Sequence, residues 1–226
     1  MKRLAAIVLL VMLTALACTD DRVALRRGPL GPASYRVAVT ASGRGTAGSE
    51  HRSATLTVAP NLGGASFTLQ TAAHEVIQAQ LQRLPDGVLT LANVRATAIA
   101  NPGSTELASL VGQLDPPLPP HRVRIGDRWS STRKISTDTL SATLQTNLRI
   151  IRYRRIAGTD AAELEGNVRG QLSATGDAGT RRGQITGTTL IDWAVGAGRV
   201  ASADTRLLWT LDTGERVALD TQVRPA

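Results

Sequence analysis

Tyr35-Arg36-Val37-Ala38-Val39-Thr40-Ala41 is the stretch that decides the fold. Val37, Val39 and Ala41 fall on one side of an extended backbone and Arg36, Ala38 and Thr40 on the other, the period-two pattern of a strand with one buried and one wetted face. The same beat returns in Ala54, Leu56 and Val58 set against Ser53, Thr55 and Thr57, so the two stretches read as the arms of a hairpin. Phe67 and Leu69 continue it. Ile77-Gln78-Ala79-Gln80-Leu81-Gln82 alternates so regularly that a strand is expected there despite the good helix formers, and Pro85-Asp86-Gly87 supplies a tight turn into a further strand over 88–94.

One segment breaks the period. Leu107, Leu110, Val111 and Leu114 stand at i, i+3, i+4 and i+7, which puts four branched apolar side chains on one helical face. Asn101-Pro102-Gly103 provides the start, Glu106 complements the positive end of the helix dipole, and Pro116-Pro117 provides the stop. A single amphipathic helix among strands needs a sheet to cover. Beyond the proline-rich connector 116–120, Val123-Arg124-Ile125-Gly126-Asp127-Arg128-Trp129 predicts a turn at Gly126-Asp127 that delivers Trp129 onto the next strand. Leu144, Leu148 and Ile150 share a face of that following strand, and Ala162, Leu164 and Val168 form another. Gly166 and Gly170 are expected to mark bulges or bends of a strongly curved sheet. Strands over 185–193, 200–203, 207–211 and 217–223 complete a set of roughly ten or eleven. The expectation is a mainly β domain over 34–226: a curved, half-barrel-like antiparallel sheet packed on one amphipathic helix. It is either continuous or built of two similar halves, 34–115 and 121–226, joined at the proline-rich connector.

Upstream of the strands, Lys2 and Arg3 precede an uninterrupted apolar run from Leu4 to Leu13, and Thr14-Ala15-Leu16-Ala17 leads into Cys18, the only cysteine of the chain. The run is too short for a spanning helix, which needs roughly 20 apolar residues. Residues 1–17 resemble a bacterial lipoprotein signal peptide, in which small side chains let the peptidase grip the backbone just before a thiol already carrying diacylglycerol. The resemblance implies lipidation at Cys18. Ala15-Leu16-Ala17 also fits the small-x-small site of the general signal peptidase, and that rival reading stays open. If Cys18 is lipidated, Thr19 rather than Asp follows it, which favours sorting to the outer membrane. Residues 18–33, rich in Arg, Gly and Pro, read as a lipidated N-terminus and tether able to reach about 45 Å when extended.

The chain carries 26 basic and 18 acidic residues for a formal charge of +8. Apart from the signal, Lys134 is its only lysine. Attraction to anionic lipid headgroups or other acidic envelope polymers competes with the simpler reading of a scattered arginine-rich composition, whose densest spots are Arg26-Arg27, Arg154-Arg155 and Arg181-Arg182. No basic stripe interleaved with aromatics appears, so nucleic acid is not an expected partner.

Catalytic signals are weak. An acylated Cys18 is unavailable as a nucleophile. His51, His74 and His121 lack metal-ligand spacing, so no metal or cofactor is expected, and no Gly-x-Ser-x-Gly elbow occurs. Gly43-Arg44-Gly45-Thr46-Ala47-Gly48 matches a dinucleotide fingerprint in letters only, because a strand follows where that fingerprint needs a helix; a hairpin loop is expected instead. Glu163 and Glu165 share a strand face and could pair for acid/base work, but a solvated face is the plainer reading. Trp129, Trp193 and Trp209 are expected to fill the core with their indole N–H groups satisfied at the rim.

The order of helix, Leu-Pro connector, Val123-Arg124-Ile125-Gly126-Asp127-Arg128-Trp129, then strands with Asp192 ahead of a Gly-rich turn at 196–198, is similar to bacterial lipoprotein families whose core reads Leu-Pro…Val-x-Val-Gly-Asp-x-Trp. Positions 104–223 carry the resemblance. Such families are related in architecture to the lipoprotein-carrier group that includes LolA and LolB, where a curved antiparallel sheet wraps a helix and encloses an apolar cavity. The resemblance implies architecture and brings no catalytic residues. A cavity of that kind would be lined by Leu107, Leu110, Val111 and Leu114 facing Trp129 and Leu148. Three classes follow in order: a non-catalytic, lipid-anchored envelope protein binding lipid or another apolar ligand; an outer-membrane scaffold contacting another envelope protein; and, last, a periplasmic hydrolase.

Overall fold

Alternating side chains need paired backbones, and here nearly all of the pairing is in one sheet. In this computed structural model residues 21–29, 31–43, 50–61, 64–71, 76–83, 89–96, 113–136, 140–176 and 179–226 are described. They contain β1 (Ala33–Gly43), β2 (Glu50–Asn61), β3 (Gly64–Thr71), β4 (Val76–Arg83), β5 (Leu89–Ala96), β6 (Arg128–Ser136), β7 (Leu140–Ile156), β8 (Thr159–Gly176), β9 (Gly179–Ala194), β10 (Arg199–Leu211) and β11 (Arg216–Pro225). The spatial order is β5-β4-β3-β2-β1-β11-β10-β9-β8-β7-β6, antiparallel throughout. Two meanders, β1–β5 and β6–β11, are therefore zipped together where β1 meets β11. The halves 34–115 and 121–226 contribute to one continuous sheet rather than to tandem sheets. Among the described residues no pairing joins β5 to β6, so the sheet is open, with those two strands at its edges.

Register sets the apolar face. Val37 sits between Ala54 of β2 and Val223 of β11, Leu56 faces Leu69, and Phe67 faces Ala79. In the other meander Trp129 faces Leu148, and Ile150, Leu164 and Ile191 form a row. Apart from Ala54, these residues belong to one buried cluster or, like Leu69 and Trp129, pack against it, at the end of the sheet where β1 begins; a smaller one, including Val168, Ile185 and Leu207, lies further along the long strands. β1 ends at Gly43 and its antiparallel partner β2 begins at Glu50, so a strand and not a helix follows; residues 44–48 of the fingerprint-like stretch lie outside the described residues.

Gly126 adopts φ 92°, the expected turn before β6. The two-residue turn between β7 and β8 uses Ala157 at φ 47° and Gly158 at φ 82°, the primed hairpin geometry whose positive φ suits the twist of the flanking strands. Gly166 and Gly170 are not bulges. Register runs unbroken past both, and the register shifts occur instead near Ile151, Ala201 and Ala79. Gly166 and Gly170 of β8, with Gly183 and Gly187 of β9, sit where a Cβ would strike a neighbouring strand: at Gly183 it would lie 2.6 Å from the Thr210 carbonyl oxygen, and at Gly187 it would meet that of Arg206. Leu148, Leu144, Leu211 and Leu207 fold their methyls over these positions. Bulges and glycines that let strands close up are the devices by which a sheet curves.

Residues 21–29, read from sequence as part of a free tether, are docked. Val23 forms an antiparallel bridge with Val123, Leu25 is buried in the main cluster, and the Gly28 amide donates to the Gly198 carbonyl at 2.8 Å. An apolar residue at every second position of Val23-Ala24-Leu25 suits an extended strap across an apolar face. The helix expected over 104–114 lies outside the described residues except for Gln113 and Leu114, which are helical; Cys18, His74 and the expected Pro85-Asp86-Gly87 turn also lie outside them.

The two tyrosines tie stability to alkaline pH. Burial pushes the Tyr35 pKa above its usual 10.0, against a weaker downward pull from Arg199, and the hydroxyl donates to the Val200 carbonyl at 3.0 Å. Tyr153 moves in the same direction through burial and then the carboxylates of Asp21 and Asp127. The folded chain then holds phenolic protons that the unfolded chain has lost. That stability is complete below about pH 10 and disappears as pH rises through the folded values. Phenolate absorbance is expected to grow together with loss of β signal in circular dichroism, and Tyr35→Phe to move the alkaline midpoint upward. Phenolate appearing at ordinary pH while the sheet stays intact would contradict this.

Candidate functional site

β5 and β6 are consecutive in sequence and stand at opposite edges of the sheet, so the chain between them must cross from one edge to the other. Its described part, 113–127, lies against the apolar face: Leu114 and Leu118 pack on the main cluster and Val123 belongs to it. Trp129 enters from edge strand β6, half-buried beside its register partner Leu148, and its indole N–H donates to the Pro117 carbonyl at 2.7 Å. The structure thus brings together three of the residues expected to line a ligand space, Leu114, Trp129 and Leu148. Leu107, Leu110 and Val111 lie outside the described residues.

Asp115 fixes this layer. It is 1% exposed, and its carboxylate accepts from Arg27 Nε at 2.6 Å and from Arg133 at 3.0 Å. Arg133 also donates to the Asp115 carbonyl at 3.1 Å and Arg27 to that of Pro116 at 3.2 Å. One buried carboxylate therefore joins the N-terminal strap, the connector and edge strand β6. Both guanidiniums are partly exposed, which lets the cluster satisfy its charge while keeping the acid out of water.

Among the described residues three buried side chains carry polar atoms with no partner. The side-chain amide of Gln113 is buried without a partner at either end, and so is the indole N–H of Trp193, a residue only 1% exposed. The Trp209 N–H is likewise unmatched. Of the three tryptophans only Trp129 meets the expectation of a satisfied N–H. Buried donors and acceptors are nearly always paired, so orphans in an apolar setting mark places where a guest oxygen or water can be held.

On the opposite face Glu163 and Glu165 do not form an acid/base pair. Glu163, 3% exposed, faces Asp192 across β8 and β9. Arg154 bridges the two acids, with Nε 2.9 Å from Glu163 and Nη2 2.6 Å from Asp192. Arg152 adds a contact to Glu163 at 2.9 Å, and Ser202 donates to Asp192. The bond to Asp192 raises the Arg154 pKa further, so that this cation is permanent. Glu165 pairs separately with Arg149 at 2.5 Å. Among the described residues no three His, Cys, Asp or Glu side chains gather as a metal-binding group.

No protein-family model matches the chain, and no curated protein matches it. Among solved structures, the crystal structure of an outer membrane lipoprotein-sorting protein domain from Vibrio parahaemolyticus is similar over 87% of this chain and 85% of its own, with 10% identity and a TM-score of 0.23. A likeness that loose carries no argument about the site.

Proposed function

We propose that this chain is a non-catalytic envelope lipoprotein, held to a membrane through acylated Cys18, that takes lipid or another apolar guest between the apolar face of its open sheet and the segment crossing that face. The observation that carries the reading is the pair of orphaned polar groups, the Gln113 amide in the connector beside Asp115 and the Trp193 N–H in the main apolar cluster. An apolar tail suits the side chains there, and a carbonyl or ester oxygen suits the unmatched donors. The non-catalytic part draws support from Glu163 and Asp192, which are committed to arginines. The resemblance of residues 1–17 to a lipoprotein signal supports the anchor, and Thr19 supports an outer-membrane address. The open edges β5 and β6 favour a second reading, a scaffold that recruits an envelope protein by strand addition.

A titration with a fluorescent polyene fatty acid tests the first reading. Saturable binding near one per chain is expected, and Leu114→Arg should weaken it by tenfold or more, about 1.4 kcal/mol, in protein whose circular dichroism shows the sheet still formed. Absence of saturable binding by the folded protein would leave the scaffold reading in its place.

A further inference from the structure

We propose that the turn at 124–127, with Ile125 at its tip and Arg22, Arg122, Arg124 and Arg128 around it, is a membrane-contact surface that rests on an anionic bilayer. The inference depends on the reading of Cys18 as the acylated residue. Because Val23 and Val123 form an antiparallel bridge, the strap leaves Val23 through Arg22 and Asp21 on the side where Val123 leads into Arg124. The docked strap leaves only four residues, and five Cα-to-Cα steps, between Val23 and Cys18. Fully extended they reach about 17 Å, far less than the roughly 45 Å of a free tether. An acyl chain in the bilayer therefore holds the 121–128 segment against the lipid surface.

The segment is built for that position. Ile125 is 54% exposed, the more exposed of two large apolar side chains on the described surface. Its presentation is structural: Gly126 turns the chain at positive φ and donates to the Ile150 carbonyl at 2.9 Å, while the Asp127 carboxylate accepts from the Arg124 amide at 3.1 Å. Arg22, Arg122, Arg124 and Arg128 are all exposed, and Arg122 donates to the Arg22 carbonyl at 2.6 Å, tying strap and loop together. Asp127 lies 3.8 Å from Arg124, and by sequence the four arginines outnumber Asp20, Asp21 and Asp127 by one. An apolar tip within a basic rim fits the headgroup region of an anionic membrane, where the side chain enters the acyl boundary and the guanidiniums meet phosphates.

The test uses the full mature chain, extracted with its anchor and reconstituted into phosphatidylglycerol vesicles with brominated acyl chains. Acylation blocks Cys18, so Ile125→Cys introduces the one thiol that a bimane label can take. Thr213→Cys, in the turn between β10 and β11 at the other end of the strands, carries the same label as a control. Quenching several-fold stronger at 125 than at 213 is expected, falling when Arg124→Glu and Arg128→Glu are added and in phosphatidylcholine vesicles. Equal quenching at both positions, or stronger quenching at 213, overturns the contact surface while leaving the anchor intact. A chain that takes a second label at Cys18 overturns the anchor reading, and the surface with it.

Discussion

Asp115→Ala is expected to lower the melting temperature by about 5–10 °C and to release the N-terminal strap before the sheet unfolds. Removing a buried acid from an ion cluster typically costs about 3–5 kcal/mol. Arg27 and Arg133 are 26% and 20% exposed, so they recover part of their hydration once the acid is gone, and about 2–3 kcal/mol is the expected loss. Removing this carboxylate takes away its bonds to Arg27 of the strap and Arg133 of β6 at once, and leaves the strap held by the Val23–Val123 bridge, the buried Leu25 and the Gly28–Gly198 bond. Amide exchange should accelerate first at Val23 and Val123, whose mutual bonds of 2.7 and 2.9 Å hold the strap, and least in β8 and β9. A variant that melts like the parent, or that loses the whole sheet at once, would remove Asp115 from its role as a latch.

Gly187→Ala should be comparably damaging for a different reason. The added methyl meets the carbonyl oxygen of Arg206 and the Leu207 side chain, and a backbone oxygen inside the sheet cannot move aside without breaking its ladder. An overpacked strand of this kind costs about 2–4 kcal/mol. Gly196→Ala is the control, since a Cβ there meets nothing within 4 Å, and its effect should stay within about 0.5 kcal/mol. Equal melting temperatures for the two variants would mean that the strands can part at Gly187, and that the glycines are not what lets them close up.

Strand positions were legible because each strand carries its own evidence. Val37-Ala38-Val39 or Ile77-Gln78-Ala79 announces a two-sided backbone within a few residues. The turn at Gly126 was legible for the same local reason. The meaning of Gly166 and Gly170 was not, since a glycine inside a strand signals either a bulge or a close approach, and only the register of β7 against β8 tells them apart. Asp115 was invisible in sequence. It lies between Leu114 and two prolines, and its cations are 88 and 18 positions away. The strap was read as a tether because Gly28, Pro29, Gly31 and Pro32 dominate its composition, whereas Val23 and Leu25 do the docking. Of the expected lining, Leu114, Trp129 and Leu148 came together because β6 is followed immediately by β7 and the connector returns to the same edge.

The central claim is a lipid-anchored sheet holding an apolar guest on its covered face. Native mass spectrometry of the protein extracted from membranes tests it most directly, because covalent and non-covalent additions are read from one spectrum. The account predicts a polypeptide beginning at Cys18 with acyl mass attached and a further non-covalent species of lipid mass that leaves on activation. A bare polypeptide mass, with a free thiol and no bound species, would contradict it.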